Sequence, residues 1–569
     1  MKRALEEVVR ALREAGYDVR EDEVGLSARA DVAASFAFRL SKELKKPPQD
    51  IADEAAKKVN PAGFVASVHA EGGYVNFTLN YPVFAKAVLK DVKVRGLEYG
   101  RPLVDSEERV VLEHTSVNPS GPVHVGRLRN SVIGDSLRRV LSYSGFRVET
   151  RYYVNDVGKQ MALIALAKKE EIAPDADLIK KYEKYAGKED FKTFFQYVAA
   201  NRKFEADPEF AKHVQELIQK AEAGDGKALS AITNVAHTCL EGQKKSFNRM
   251  GFVFDAFDFE SQYLTSGAVK EVLDKVKTTR FAAENETGFG VDLSEFGIEK
   301  GGGLTVLARK DGTSVYLARD IAYHQFKKTR GDRIINVLGE DHKLEFKELT
   351  TILKEVFDFT TPMEVVHFSF VNFEGTGLST RRGEIASVDQ LLDEADAKAA
   401  DEIGKRGIGN VDDASLIGVG AVKYHLVRQN PNKPISFKWD EALSFDGDSA
   451  PYIQYACARS RRILEKADVR QNMDYDALSY DLTQQEKELI KQLSLFPMEV
   501  ASAAEKRRPD LVAQYAYRLA SLYSRFYKEC PVLDAAPDVR ERRLLTVEAV
   551  LTVLTAALDL LGIAAPQKM

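Results

Sequence analysis

The chain has 569 residues, 44% of them hydrophobic, and carries 81 Lys plus Arg against 86 Asp plus Glu for a formal net charge of −5. That length exceeds a single core and calls for three or four domains; the slight acidity removes any global basic signature of nucleic-acid binding, so an RNA contact must use local patches and DNA is not an expected partner. Cys239, Cys457 and Cys530 are far apart and form no CxxC pair, which argues against a zinc site and a disulfide framework, and without an apolar N-terminal segment or a run of membrane-spanning length the expectation is a cytoplasmic protein with no membrane partner.

In chain order, residues 1–100 show amphipathic helices over 4–15 and 31–44 and a strand over 74–80, which together read as a small α+β module. From Arg109 the pattern becomes strand, helix, strand: 110–112 begin a strand, Leu128, Val132, Ile133, Leu137, Val140 and Leu141 recur at helical spacing, and VETRYYV forms the next strand up to Asn155. Residues 159–250 are charged and helical, an insertion between two halves of a parallel sheet. Strand signals resume over 252–259. LTVLARKDGTSVYLARD reads as a hairpin closing on Asp311 and Gly312, followed by a helix from Asp320. RIINVLGE, a helix over 341–356 and the strand MEVVHFSFVNF complete a second half-Rossmann block, ending in the loop GTGLSTRRG. Beyond Asp389 the chain reads as consecutive amphipathic helices, including 452–467 and 511–530. The expected division is 1–100, 107–395 with its insertion, a connecting region 396–448, and 449–569.

The stretch EHTSVNPSGPVHVGR, residues 113–127, joins an apolar strand to an amphipathic helix. Such a loop aims backbone N–H groups and a helix N-terminus at one spot, which is electropositive and suits a polyphosphate, with His124 as a further donor. Read on spacing alone, Pro119, Gly121, Pro122 and Gly126 equally well shape a plain turn.

The residue types go further, because NPSGPVHVG followed by a helix resembles the HIGH signature of class I aminoacyl-tRNA synthetases, with flanks similar to those of the arginyl-tRNA synthetases. The resemblance covers essentially the whole chain. It implies an α/β fold: a Rossmann-like parallel-sheet catalytic domain with an α+β N-terminal domain and an all-α C-terminal anticodon-binding bundle. It also implies activation of L-arginine with ATP and Mg²⁺ to arginyl-adenylate, transfer to the 3′ end of tRNA, and a monomer.

Catalysis is then expected at His124, Gly126 and Arg127 and at Ser379, Arg381 and Arg382, with Gly121, Leu378 and Ser379 also at the ATP. Arg127 stands where the motif has its second histidine; arginine keeps a cation for phosphate but cannot titrate near pH 7. GLSTRRG resembles a degenerate KMSKS loop whose lost lysines Arg381 and Arg382 replace. Glu260, Tyr316 and Asp320 are carried over as readers of the guanidinium, which is best met by planar acceptors; a helix N-cap is the competing reading of Asp320. Glu113, Asn118 and His124 are assigned to the amino acid's polar end, and His342 to a further substrate contact. Asn155 and Asp156 follow a strand end without a readable role.

In the C-terminal part, Tyr452, Tyr455 and Arg459 interleave aromatic and basic residues as single-stranded RNA binding requires, although both tyrosines also fit a helix core. Met569 is carried over to the anticodon pocket by the resemblance. Lys42, Lys45 and Lys46 of the N-terminal module either meet tRNA phosphates or solvate a helix. A catalytically impaired tRNA-binding paralogue is the alternative, motivated by Arg127 and the lysine-poor loop.

Overall fold

The computed structural model describes residues 1–298, 304–373, 386–407, 410–467, 478 and 480–569. The helix Lys2–Glu14 buries Ala4, Val8 and Leu12 along one stripe, the recurrence that marks an amphipathic helix. Strands β1 (Val24–Leu26) and β2 (Val32–Ala34), helices Phe36–Leu44 and Pro48–Lys58, and the hairpin of β3 (Val65–Glu71) and β4 (Tyr74–Leu79) follow. The strands form an antiparallel sheet in the order β1-β2-β4-β3. The helix expected over 31–44 is thereby corrected. Val32 is a buried strand residue opposite Phe77, and the helix begins only at Phe36, because pairing with β4 overrides a periodicity that both states share. Largely exposed, β3 left little sequence signal. It joins β4 through Gly72 and Gly73, both at positive φ (59° and 84°), as a two-residue hairpin turn requires.

The central part contains, in chain order, β5 (Arg109–Glu113), β6 (Arg147–Val154), β7 (Ala256–Phe259), a small antiparallel sheet of β8 (Ala282–Glu284), β9 (Gly288–Asp292) and β10 (Leu304–Arg309), then β11 (Arg333–Gly339) and β12 (Met363–Phe368). Five of these make one parallel sheet in the order β12-β11-β5-β6-β7. Val110 and Leu112 of β5 pack into one apolar core and Val111 into another, so both faces are covered, as a parallel sheet demands. The chain fills the sheet outward from β5 first on one side and then on the other. Its topological switch point therefore lies at the carboxyl end of β5, where open α/β sheets bind ligands.

Between β6 and β7 the insertion is helical from Lys159–Lys169 through Gly226–Met250. Asp175, Asp207 and Asp225 cap its helices, each accepting two backbone N–H groups.

Two expectations fail in this region. The turn at Gly312 is present, with φ 82°, but only the isolated bridge Ala308–Ser314 returns from it. β10 pairs instead with β9, and VYLARD enters the helix Tyr316–Arg330, which buries Ala318, Ile321 and Ala322 in the core that also holds Leu307. Likewise MEVVHFSFVNF is two strands, for β13 (Val371–Phe373) pairs in parallel with β14 (Ile435–Phe437). The break comes where the Ser369 N–H turns to Pro431 O at 2.9 Å.

After the helices Val388–Arg406 and Ala414–Val427, a bundle of Ala450–Ala467, Gln484–Lys506, Asp510–Glu529 and Pro537–Leu560 closes the chain. Its apolar faces, with Leu489, Leu493, Phe496 and Val500 on one helix and Leu519, Tyr523 and Phe526 on the next, explain the packing. Among the described residues no helix is long and apolar enough to cross a membrane.

Candidate active site

Parallel pairing puts the carboxyl ends of β5, β6, β7 and β11 on one edge of the sheet. Glu113 ends β5, Asn155 and Asp156 follow β6, Glu260 follows β7, and the turn Glu340–His342 follows β11. Sequence positions more than two hundred residues apart thus share one rim.

The loop after β5 begins with Thr115 and Ser116 at positive φ (72° and 42°). For a β-branched residue this is a strained conformation, held here by Asn130 Oδ1, which accepts the Thr115 N–H at 2.7 Å. The loop ends at His124, the N-cap of the helix Val125–Tyr143, whose Nδ1 accepts the Gly126 N–H at 3.0 Å. Burial and the nearby charge of Arg127 push the imidazole below its ordinary pKa. It is therefore neutral at pH 7, and with Nδ1 accepting, Nε2 carries the proton and is a donor.

The helix start is less open than the sequence implies. Val125 donates to Ala386 O (2.9 Å) and Arg127 to His124 O (2.9 Å), so what this end offers an anion is its dipole, His124 Nε2 and the exposed Arg127 side chain. Gly126 has no room for a side chain, since a Cβ would stand 2.9 Å from His124 Nδ1. Gly121 is buried against Phe194, and its carbonyl accepts from Gln243 at 2.8 Å. Leu378, Ser379, Arg381 and Arg382 lie outside the described residues. The segment after them is sewn to the histidine loop, with a bridge between His124 and Ser387 and the Val388 N–H on Val123 O at 2.8 Å.

The acids gather around Tyr153, whose phenol burial and the charges of Glu260, Asp320 and Glu113 hold well above its ordinary pKa. Glu260 is wholly buried. Arg319 Nη1 donates to its Oε1 at 2.6 Å, and Asn155, its amide oriented to satisfy both neighbours, donates to Oε2 at 2.7 Å. The guanidinium that Glu260 holds is thus the chain's own, whereas the sequence reading assigned Glu260 to the guanidinium of the substrate. Burial raises this carboxyl to about 7 against the pull of Arg319.

Asp320 keeps 42% of its side chain exposed, with His324 Nδ1 at 3.1 Å. Burial acts to raise its carboxyl, but the charges of His324, Lys327 and His342 outweigh that and hold it below its ordinary value. Its alternative reading as an N-cap is corrected, because Val315 is the N-cap and Asp320 lies inside the helix. Tyr316 opens that helix and is 61% exposed. Its hydroxyl stands over Gly158, 3.8 Å from where a Cβ would lie.

Glu113 accepts from Lys327 (2.6 Å) and Ser116 (3.0 Å); Asn118 is exposed; His342 Nδ1 lies 2.7 Å from Glu345 Oε2. Asp156 is a structural acceptor, taking the Ser261 N–H and hydroxyl at 2.8 and 2.6 Å. Sequence reasoning missed Arg319 and Lys327, since a basic residue within a helix reads as solvated surface, and Tyr153, since an aromatic residue in a strand reads as core.

At the far end, Tyr455, Arg459, Arg462, Lys466, Tyr527 and Met569 line one cleft of about 350 Å³. The Arg459 guanidinium sits between the rings of Tyr455 and Tyr527, 4.6 and 4.4 Å from their centroids. Tyr452 is turned elsewhere, bonded to Ser524 at 3.0 Å and packed on Tyr517.

Known proteins share this arrangement. The family model described as tRNA synthetases class I (R), catalytic domain, matches residues 89–439, the DALR anticodon binding domain matches 453–569, and the arginyl tRNA synthetase N terminal domain matches 1–79. The arginine–tRNA ligase of Methanocaldococcus jannaschii is 39% identical over 576 residues, covering 100% of this chain and 98% of its own length. That of Methanobrevibacter smithii is 39% identical over 95% of this chain and 92% of its own. The Thermus thermophilus arginyl-tRNA synthetase structure superposes with a TM-score of 0.79 at 28% identity over the whole of both chains. With the family model spanning more than half its length and relatives matching end to end, the chain belongs to the arginyl-tRNA synthetases of class I.

Proposed function

We propose that this chain is an arginine–tRNA ligase that activates L-arginine with ATP to arginyl-adenylate and transfers it to the 3′ end of its tRNA. The observation that carries the reading is the rim itself: Glu113 ends β5, Glu260 follows β7, and Asp320 keeps 42% of its side chain exposed on the helix Tyr316–Arg330, while the loop after β5 ends at the capped histidine. Acidic groups there suit a substrate with two cationic ends, and neighbouring donors suit a polyphosphate.

In the first step the arginine carboxylate attacks the α-phosphate of ATP, and pyrophosphate leaves. ATP enters with Mg²⁺, which offsets phosphate charge as part of that substrate. His124 Nε2 and Arg127 stabilise the phosphate oxygens, with Gly126 leaving room for the His124 ring; Leu378, Ser379, Arg381 and Arg382 supply the second phosphate loop. Asp320 and Tyr316 meet the substrate guanidinium. Glu260 adds negative field behind them, and touches the substrate directly only by exchanging Arg319 or Asn155 for it. Glu113, Asn118 and His342 face the amino-acid end and its surroundings. In the second step the terminal ribose hydroxyl attacks the activated carbonyl and AMP leaves. The cleft of Tyr455, Arg459 and Met569 takes single-stranded anticodon bases, with Tyr452 supporting it from the bundle. The protein acts as a monomer in the cytoplasm.

The test is aminoacylation of total tRNA with each amino acid in turn, with and without ATP. Charging by arginine alone, dependent on ATP, is expected. Charging by another amino acid overturns the substrate; tight tRNA binding with no charging leaves the binding paralogue instead.

A further inference from the structure

The helical insertion reaches the substrate rim through one side chain. Glu222 ends the helix Pro208–Glu222. There its carboxylate faces the negative end of the helix dipole, a position that helix physics disfavours for an acid. Its tertiary partners explain it. Oε1 accepts from Arg319 Nη2 at 2.8 Å, and Oε2 accepts the Ser314 N–H at 3.0 Å. Gln219 and Gln215, one and two turns back on the same stripe, approach Asp311 at 3.5 and 3.4 Å. One face of this helix therefore lies along 311–319, the segment that leads into the helix carrying Tyr316 and Asp320.

Arg319 is fully engaged by these contacts. Its Nη1 holds Glu260 (2.6 Å), Nη2 holds Glu222, and Nε donates to Ser314 Oγ at 2.9 Å. Side-chain exposure is 4% for Arg319, 13% for Glu222 and 0% for Glu260. Two carboxylates thus flank one internal guanidinium behind the rim, and the second comes from the insertion.

We propose that Glu222 is a positioning residue of the arginine pocket, contributed by the insertion, which anchors Arg319 and so fixes Glu260 and the charge that a cationic substrate meets. This rests on the reading of the site as an arginine pocket. Without the Glu222 charge, Arg319 faces Glu260 alone, and the rim gains one unit of positive charge beside an incoming guanidinium. The loss falls on substrate binding rather than on phosphoryl chemistry, because Glu222 touches neither the histidine loop nor the helix it caps.

The experiment is steady-state charging by the full-length protein, with arginine and ATP varied separately. Glu222→Gln keeps the shape and an acceptor for Ser314; it is expected to raise KM for arginine about 30-fold, the smaller end of what breaking a buried charge pair costs, with kcat and the KM for ATP within about twofold. Glu222→Asp keeps the charge at shorter reach and gives a smaller rise, which also carries the test if the Gln variant does not fold. Gln219→Ala loosens the same helix face without touching Arg319 and leaves KM for arginine unchanged. The proposal is overturned if both Glu222 variants keep the wild-type KM for arginine, or if kcat and both KM values change together. Failure of the wild type to charge arginine at all instead overturns the functional reading beneath it.

Discussion

His124 and Gly126 fit each other by exclusion: the imidazole Nδ1 accepts the Gly126 N–H at 3.0 Å, and a Cβ on residue 126 would lie 2.9 Å from the same nitrogen. Gly126→Ala must therefore turn the ring and with it Nε2. A fall in kcat of about 100-fold is expected from a displaced donor. Thermal stability should hold, since alanine favours a helical first turn more than glycine does. An unchanged kcat would show that the ring orientation does not matter.

Arg127 is exposed in the first turn of that helix. Arg127→His returns the second imidazole of the family motif, and charging is expected to be retained or raised. Arg127→Ala removes the cation, and a loss of about tenfold in kcat/KM for ATP is expected from one charge-assisted phosphate contact. Kinetics with varied ATP check both.

Of the acids proposed to meet the guanidinium, Asp320 is left partly open to solvent, and its pKa is held low. Asp320→Ala and Asp320→Asn are expected to lower kcat/KM for arginine by about 100-fold or more, as loss of a charged partner does. Equal losses in the two variants would identify the charge, rather than the size of the side chain, as the cause.

Glu260 gives a pH signature. Its carboxyl rises from 4.5 to about 7 in the fold, so below about 7 it takes up a proton and leaves Arg319 less compensated. KM for arginine should then rise as pH falls from 8 to 6, and Glu260→Gln should flatten the profile. Stability runs the other way. Between 4.5 and about 7 the folded state keeps a proton that the unfolded state has lost, so this group's contribution falls as pH rises through that window. Melting temperatures of Glu260→Gln relative to wild type should accordingly improve across it.

In the C-terminal cleft, Arg459→Ala should weaken tRNA binding and reduce the slope of affinity against salt by about one. Tyr452→Phe loses only the Ser524 bond, costing about 1 kcal/mol of stability with tRNA affinity unchanged. Titrations at several salt concentrations and thermal melts separate the two.

Residue order alone makes legible the strand, loop and helix around His124, the helical insertion and the C-terminal helices, and family resemblance adds the acids to look for. The elements depend on residue type and short-range spacing, which survive in one dimension. Local patterning misled where a neighbour overruled it, as when pairing with β4 drew Val32 into a strand and core packing began a helix at Tyr316 instead of Asp320. That Arg319 lies between Glu260 and Glu222, residues 59 and 97 positions away along the chain, follows from the three-dimensional fold. A buried charge must find a partner when water is removed, and which partner lies within reach is fixed by the order of the strands and the docking of the insertion.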